Sequence, residues 1–295
     1  MINKREQAAC LSEKDFKFIC QYVYESAGIV LNEGKREMVY RRITRIVRER
    51  NIDSFTTYCQ ILRESPEAEK SYFINAITTN LTSFFRENHH FDYLLKNELP
   101  KLLKQNPGPN RRKGDKRLRI WSSAASTGEE PYSIAITLIE GMKAVLKQWD
   151  IKILATDIDS NVLEIAKKGI YENKRIEDIP ANYKQKYFHK GKAGNASKVK
   201  VDQSLQNLIT FKQLNLLHEW PVKGPFDVIF CRNVIIYFDK RTQQDLFARY
   251  YEMLAPGGLL ILGHSENLGA YQKYFENVGR TIFKKATNSN LSGLI

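Results

Sequence analysis

Leu118-Arg119-Ile120-Trp121, then Ser122-Ser123-Ala124-Ala125-Ser126-Thr127-Gly128, then Glu129-Glu130-Pro131-Tyr132-Ser133-Ile134 follow one another without a break and read as strand, turn and helix. The first run is short and apolar, as a strand buried on both faces is. The second consists of small residues, which let a ligand come close to the backbone. The third opens a helical stripe continued by Leu138, Ile139, Met142, Val145 and Leu146. The rhythm repeats downstream. Ile151 to Ala155 is a strand ending in Thr156-Asp157-Ile158-Asp159, and a helix runs from Asn161 to Lys168. Phe226 to Cys231 is a third buried strand, and Thr242 to Leu254 is helical. Pro256-Gly257-Gly258 turns into the strand Leu259 to Leu262, and Thr281-Ile282-Phe283 is the last strand pattern. Strands alternating with helices through short turns predict an α/β domain with a parallel sheet covered on both faces.

Two segments break that order. Gln105 to Lys116 is rich in Pro, Gly and basic residues and reads as an exposed linker. Tyr183 to Val201 contains no acidic residue, and the β-like runs Val199-Lys200-Val201 and Leu208-Ile209-Thr210-Phe211 predict a small β insertion at about 175–213. Before the linker the pattern is helical throughout. Phe16, Ile19, Val23 and Ala27 form one stripe behind the cap-like Ser12. Val39, Ile43, Ile46 and Val47 form a second, with Arg41, Arg45 and Arg48 on the opposite side. Phe55, Tyr58, Cys59 and Leu62 form a third after Asp53-Ser54, limited by Pro66. The expected organisation is a helical N-terminal domain over 1–85, a connecting helix and linker over 86–117, and the α/β domain over 118–295.

Composition narrows the function. The chain of 295 residues has 46 Lys+Arg against 33 Asp+Glu, a net charge of +13 that calls for an acidic partner. Its longest unbroken apolar run, Val234 to Phe238, is five residues, far short of the ~20 that span a membrane. The opening stretch is mixed and polar, unlike a secretion signal. Cys10, Cys20, Cys59 and Cys231 are scattered, with no His at ligand spacing. That predicts reduced thiols, a cytoplasmic location and no metal site.

In an open parallel sheet, ligands bind beyond the carboxyl ends of the strands. The turn after the first strand has one Gly where a dinucleotide fold needs three, and Glu129 and Glu130 would repel a pyrophosphate while welcoming a cation. The same two glutamates also suit the first turn of any helix. Asp157 is placed to accept both hydroxyls of a ribose, and Asn233 offers an amide at the end of the later strand. A nucleoside without phosphates that carries a positive charge is S-adenosylmethionine.

Five runs carry a resemblance: Thr78 to Phe91, Ser123 to Ser133, Thr156 to Asp159, Phe226 to Lys240 and Gly263 to Asn267. Together they resemble the CheR-type family of chemotaxis receptor glutamate O-methyltransferases over nearly the whole chain. The resemblance implies a Rossmann-like, S-adenosylmethionine-dependent methyltransferase sheet with an inserted β-subdomain, preceded by an all-α domain. It implies that Asn80, Thr82 and Arg86 close over the cofactor, that Glu130 and Asp157 contact its methionine or ribose part, and that Asn215, Leu216, Asn233 and Val234 complete the contacts. Arg86 suits the methionyl carboxylate through a forked pair; the alternative is a salt bridge to Glu87 or Glu130. Next to it, His89 and His90 should point different ways on a helix.

Methyl transfer from a sulfonium is an in-line displacement that leaves S-adenosylhomocysteine. A glutamate acceptor, with a reference pKa of ~4.3, is already anionic at neutral pH, so no general base is needed. Catalysis would rest on positioning and partial desolvation. Arg86, Tyr237 and Arg232 are the positioning candidates, although Tyr237 could equally be core, and His264 is ambiguous. The face formed by Arg41, Arg45 and Arg48 either docks an acidic receptor helix or is simply solvated. In some members of the family the β-subdomain binds a peptide at the receptor's tail, and the loop Gly191 to Gly194 is compatible with that. Nucleic acid is the competing substrate for a chain this basic. Amino-directed nucleic-acid methyltransferases carry an Asn/Asp-Pro-Pro-aromatic turn where this chain has Arg232-Asn233-Val234-Ile235-Ile236, and no Cys here follows a Pro as cytosine enzymes require. A scaffold that binds the nucleoside without transferring its methyl is the other alternative, opposed by Arg86, Glu130, Asp157 and Asn233. Neither nucleic acid nor direct membrane insertion is expected.

Overall fold

The computed structural model describes residues 11–64, 67–104, 116–191 and 193–286. Cys10, Pro66, Lys192 and the linker residues 105–115 lie outside the described residues. Helix α1 (Glu13–Ala27) is capped by Ser12, whose side chain accepts the Asp15 N–H at 3.1 Å, and stops at Gly28 in the left-handed region, φ 68°. Helices α2 (Arg36–Glu49), α3 (Phe55–Glu64) and α4 (Glu67–Ile77) pack on it. The stripes read from the sequence form their shared core: Phe16, Ile19, Val39, Ile43, Tyr58 and Leu62 are buried there with Phe73 and Ile77. Arg42 reaches across to the carbonyls of Ile77 and Thr78, satisfying the open end of α4 at the point where the chain enters the α/β domain.

Next come α5 (His89–Tyr93), a π-helical stretch (Leu94–Glu98) and α6 (Leu99–Lys104), whose Phe91, Leu94 and Leu99 pack into the core of the α/β domain. The α/β domain then runs β1 (Arg117–Ser122), α7 (Glu129–Met142), β2 (Asp150–Asp157), α8 (Ser160–Lys168), β3 (Ile170–Glu172), α9 (Ala181–Tyr187), β4 (Phe188–Lys190), β5 (Lys198–Val201), α10 (Gln203–Gln206) and β6 (Ile209–Gln213). It ends with β7 (Phe226–Cys231), α11 (Lys240–Met253), β8 (Leu254–Leu262), β9 (Phe275–Gly279) and β10 (Ile282–Lys285). The main sheet has the order β6-β2-β1-β7-β8-β10-β9. Its first five strands are parallel, and β10 and β9 are antiparallel additions. The chain therefore builds outward from β1 through β2 to β6, then returns to the other side of β1. The order reverses between β1 and β7, where a doubly wound sheet opens a crevice. Alternate strand residues supply two cores. Ile120, Ile153, Val228 and Ile261 pack toward α7, while Trp121, Ile229 and Leu260 pack toward Phe247 and Tyr250 of α11.

The structure alters three expectations. The sheet is mixed: β9 was not legible because Phe275-Glu-Asn-Val-Gly279 has only two apolar residues, separated by two polar ones, and lies at the edge of the sheet. Helix α7 ends at Met142, so Val145 and Leu146 lie past its end and pack half-buried against the core. The run Leu208 to Phe211 joins the main sheet as β6, with Ile209 opposite Ile153, whereas the small sheet, ordered β3-β5-β4, begins earlier at Ile170. A four-residue apolar run carries no mark of which sheet it will join, since only its neighbours in space decide that.

Candidate active site

Beyond the carboxyl ends of β1, β2, β6 and β7 lies a cavity of about 180 Å³. Ser123, Ala124 and Ser126 follow β1, Asp157 closes β2, Leu214 to Leu216 follow β6, and Arg232 to Val234 follow β7. The opposite wall comes from residues 77–82 and Arg86, with Ile29, Val30, Lys35 and Met38 of the helical domain. The structure thus brings together Asn80, Thr82, Arg86, Glu130, Asp157, Asn215, Leu216, Asn233 and Val234, and adds Tyr237. Tyr237 is half-buried in the cavity wall, not in the core, and its carbonyl accepts the Val30 N–H at 2.8 Å. The contribution of Ile29 to Met38 was not read from the sequence, because it depends on how the helical domain docks. That docking is fixed by an isolated bridge between Ile29 and Phe238 and by Asn215 Nδ2, which donates to the Ser26 carbonyl at 2.9 Å.

Asp157 is held by backbone donors. Its Oδ2 accepts the Ser126 N–H at 2.8 Å and its Oδ1 the Asp159 N–H at 3.0 Å. Each oxygen keeps a further acceptor position, so the pair of hydroxyl contacts expected of Asp157 remains available. Burial pushes its carboxyl up to about 6, against the pull of those N–H groups.

The two glutamates opening α7 already hold cations of the chain itself. Glu129 is fully buried and ion-paired with Arg175. Glu130 accepts Ser122 Oγ at 2.7 Å and Arg232 Nη1 at 2.8 Å. Arg232 also approaches Glu87 at 3.5 Å and donates to the Arg86 carbonyl, and it is itself buried. Two carboxylates share one guanidinium, so the cluster carries one net negative charge when both are ionised. Burial raises Glu130 against the pull of Arg232. Burial would raise Glu87 too, but the His264 hydrogen bond at 2.9 Å and the Arg232 charge hold it at about 2. Arg232 therefore braces the site from within instead of facing an acceptor. It also occupies the ion pairs that were the alternative for Arg86, whose Nη1 donates to the Leu81 carbonyl at 2.8 Å. His264 is an exposed partner of Glu87. The rings of His89 and His90 do not diverge: their centroids are 4.0 Å apart, and burial, with the Arg232 charge adding to it, lowers His90 to about 3.

Glu266, in the run Gly263 to Asn267, organises the site from below. Its buried carboxylate accepts the N–H groups of Gly263, Asn233, Val234 and Ile235 at 2.7–2.9 Å. It thereby shapes the turn in which Asn233 takes φ 57°, a conformation Asn tolerates better than most residues. A Cβ at Gly263 would fall 2.9 Å from both the Asn233 nitrogen and Glu266 Oε2, so only glycine allows this closure. Arg41, Arg45 and Arg48 lie away from the cavity on the exposed side of α2, where Arg41 pairs with Glu37 at 2.8 Å and Arg45 with Glu49 at 3.2 Å.

A crevice at the strand reversal, a carboxylate at the end of β2 with two acceptor positions to spare, and a net negative charge under the cavity define a Rossmann-like S-adenosylmethionine-dependent methyltransferase. The polar groups fit that cofactor's ribose and its cation. The chain belongs to the CheR methyltransferase family: residues 80–284 match its S-adenosylmethionine-binding domain and residues 14–78 its all-alpha domain. It is 44% identical over 279 residues to the chemotaxis protein methyltransferase of Salmonella typhimurium, covering 94% of this chain and 92% of that protein. It is 43% identical over 275 residues to the protein of the same name from Escherichia coli (92% and 91% covered) and 35% identical over 277 to that of Borreliella burgdorferi (93% and 95%). Among the described residues no helix is long and apolar enough to cross a membrane.

Proposed function

We propose that this chain methylates glutamate side chains on the acidic cytoplasmic helices of chemotaxis receptors, forming glutamyl methyl esters in the cytoplasm. The observation that carries the reading is the cavity at the strand reversal, which gathers a polar ring for a nucleoside over a buried cluster of net negative charge. Asp157 accepts the ribose hydroxyls, Arg86 pairs with the methionyl carboxylate, and the Glu130–Arg232–Glu87 cluster balances the sulfonium. Asn80 and Thr82 cover the site, while Asn215, Leu216, Asn233 and Val234 frame the base. Bound S-adenosylmethionine supplies an electrophilic methyl group. The chain's own work is to align an acceptor carboxylate, with Tyr237 at the cavity wall as its guide, and to exclude water from two opposite charges. An ionised glutamate needs no proton removed, so the reaction asks for no general base.

The exposed Arg41, Arg45 and Arg48 would dock the acidic receptor helix. Strand β4 is an edge of the small sheet, a place where an extended receptor tail could add a strand. The test is calorimetry with S-adenosylhomocysteine, joined to transfer of tritiated methyl into receptor-bearing membranes. Binding and transfer together support the reading; binding without transfer to receptors removes the proposed substrate.

A further inference from the structure

The inserted small sheet touches the wall of the donor cavity through the side chain of Arg175. Arg175 sits in the short helical turn Asn173–Ile176 after β3, and its guanidinium touches two things at once. It pairs with the buried carboxylate of Glu129, and its Nη2 donates to the Thr82 carbonyl at 3.0 Å. Thr82 lines the cavity. The same small sheet makes two further contacts nearby. Tyr171 of β3 donates its hydroxyl to the Thr127 carbonyl at 2.7 Å, in the turn between β1 and α7. Phe84 stands edge-on to both Tyr171 and Phe188 of β4, with ring centroids 5.1 and 5.2 Å away.

The segment held this way cannot hold its own shape. Phe85 and Glu87 have φ of 54° and 56°, a region that costs residues with side chains energy unless the surroundings impose it. Fixed points surround it. Asn80 donates to Asp159 at 2.7 Å and accepts Ser126 Oγ at 2.8 Å through its carbonyl, and the Phe85 N–H donates to Ser133 Oγ at 2.9 Å. Between Asn80 and Phe85 two side chains tether the backbone: Arg86 at the Leu81 carbonyl, from within the segment itself, and Arg175 at the Thr82 carbonyl, reaching across from the inserted small sheet.

We infer that Arg175 is a positioning residue for the methyl donor, through which the inserted sheet sets the shape of the cavity wall from Thr82 to Arg86. This rests on the donor reading of the cavity. Any ligand or substitution that displaces the insert would then alter donor affinity, and the donor would act back on the insert to the same extent.

The test is calorimetry of S-adenosylhomocysteine on the full chain as wild type, Arg175→Met, and Arg175→Met with Glu129→Gln, with thermal unfolding alongside. Loss of a charged hydrogen bond predicts that Arg175→Met weakens S-adenosylhomocysteine about tenfold. Replacing Glu129 in the double variant removes the unpaired buried charge, so it regains melting temperature without regaining affinity. Unchanged affinity in Arg175→Met, or affinity restored in the double variant, overturns the inference, since Arg175 would then serve only to neutralise Glu129. No binding by the folded wild type overturns the donor reading, and this inference with it.

Discussion

Arg232→Met isolates the buried charge cluster. The arginine side chain is 2% exposed, and its partners Glu130 and Glu87 are 9% and 12% exposed. Methionine fills similar space but leaves two carboxylates without their shared cation and the Arg86 carbonyl without its donor. Removing one member of a buried ion pair costs about 3–5 kcal/mol, a large part of the 5–15 kcal/mol that usually holds a domain together. At roughly 2–4 °C per kcal/mol for a chain of this order, the melting temperature should fall by at least about 6 °C. The loss has a pH signature. Glu130 is raised above 4.5 by burial even with Arg232 present, and without it would be raised further. A carboxyl raised in the folded state is tolerated while protonated and destabilises as pH climbs through its folded value. The deficit of the variant should therefore grow from pH 5 to pH 8. Glu87, held at about 2, contributes stability that is complete above about 4.5 and fades only toward pH 2, outside that window. Calorimetric unfolding of both proteins across the range measures this. A melting temperature within about 2 °C of wild type at pH 8, or a deficit that shrinks as pH rises, would refute the assignment of Arg232 as the shared counterion.

Three further outcomes follow from the same geometry. Asp157 is held near 6 and must be ionised to accept ribose hydroxyls, so S-adenosylhomocysteine affinity should strengthen from pH 5 through 6 and level off above 7. Asp157→Asn should bind about tenfold or more weakly with that pH step gone, as titration calorimetry would show. Reversing Arg41 and Arg48 to Glu should slow receptor methylation while leaving S-adenosylhomocysteine affinity unchanged, with little cost in stability because both residues are exposed; equal loss of both activities in the methylation and binding assays would remove the docking face. Tyr237→Phe should lower the single-turnover rate with donor affinity intact, and an unaltered rate would leave Tyr237 as cavity wall only.

What was legible in the sequence was whatever repeats locally. The stripes of α1 to α3, the strand-turn-helix at Leu118 to Ile134 and the strand running into Asp157 follow from periodicity, and they place Ser126 in the turn after β1, Glu130 in the first turn of α7 and Asp157 at the end of β2 without further information. Pairings between distant segments were not legible. The partners of Glu129 and Glu130 were hidden because Arg175 and Arg232 lie 46 and 102 positions along the chain. Glu266 lies in the run Gly263 to Asn267, but its role appears only when the turn at Asn233 folds onto it. The one local signal was the glycine at 263, whose need appears only once the Cβ clash is seen. Ile29 to Met38 could not have been assigned to the cavity, since their apolar pattern is that of any helix end and loop.

The most direct measurement of the central claim is the chemical nature of the transferred methyl. Receptor-bearing membranes incubated with this protein and methyl-tritiated S-adenosylmethionine are treated with mild alkali and the volatile fraction is counted. A carboxylate acceptor predicts that the incorporated label leaves as methanol. Label that stays on the receptor after alkali, as methyl on nitrogen does, would contradict it.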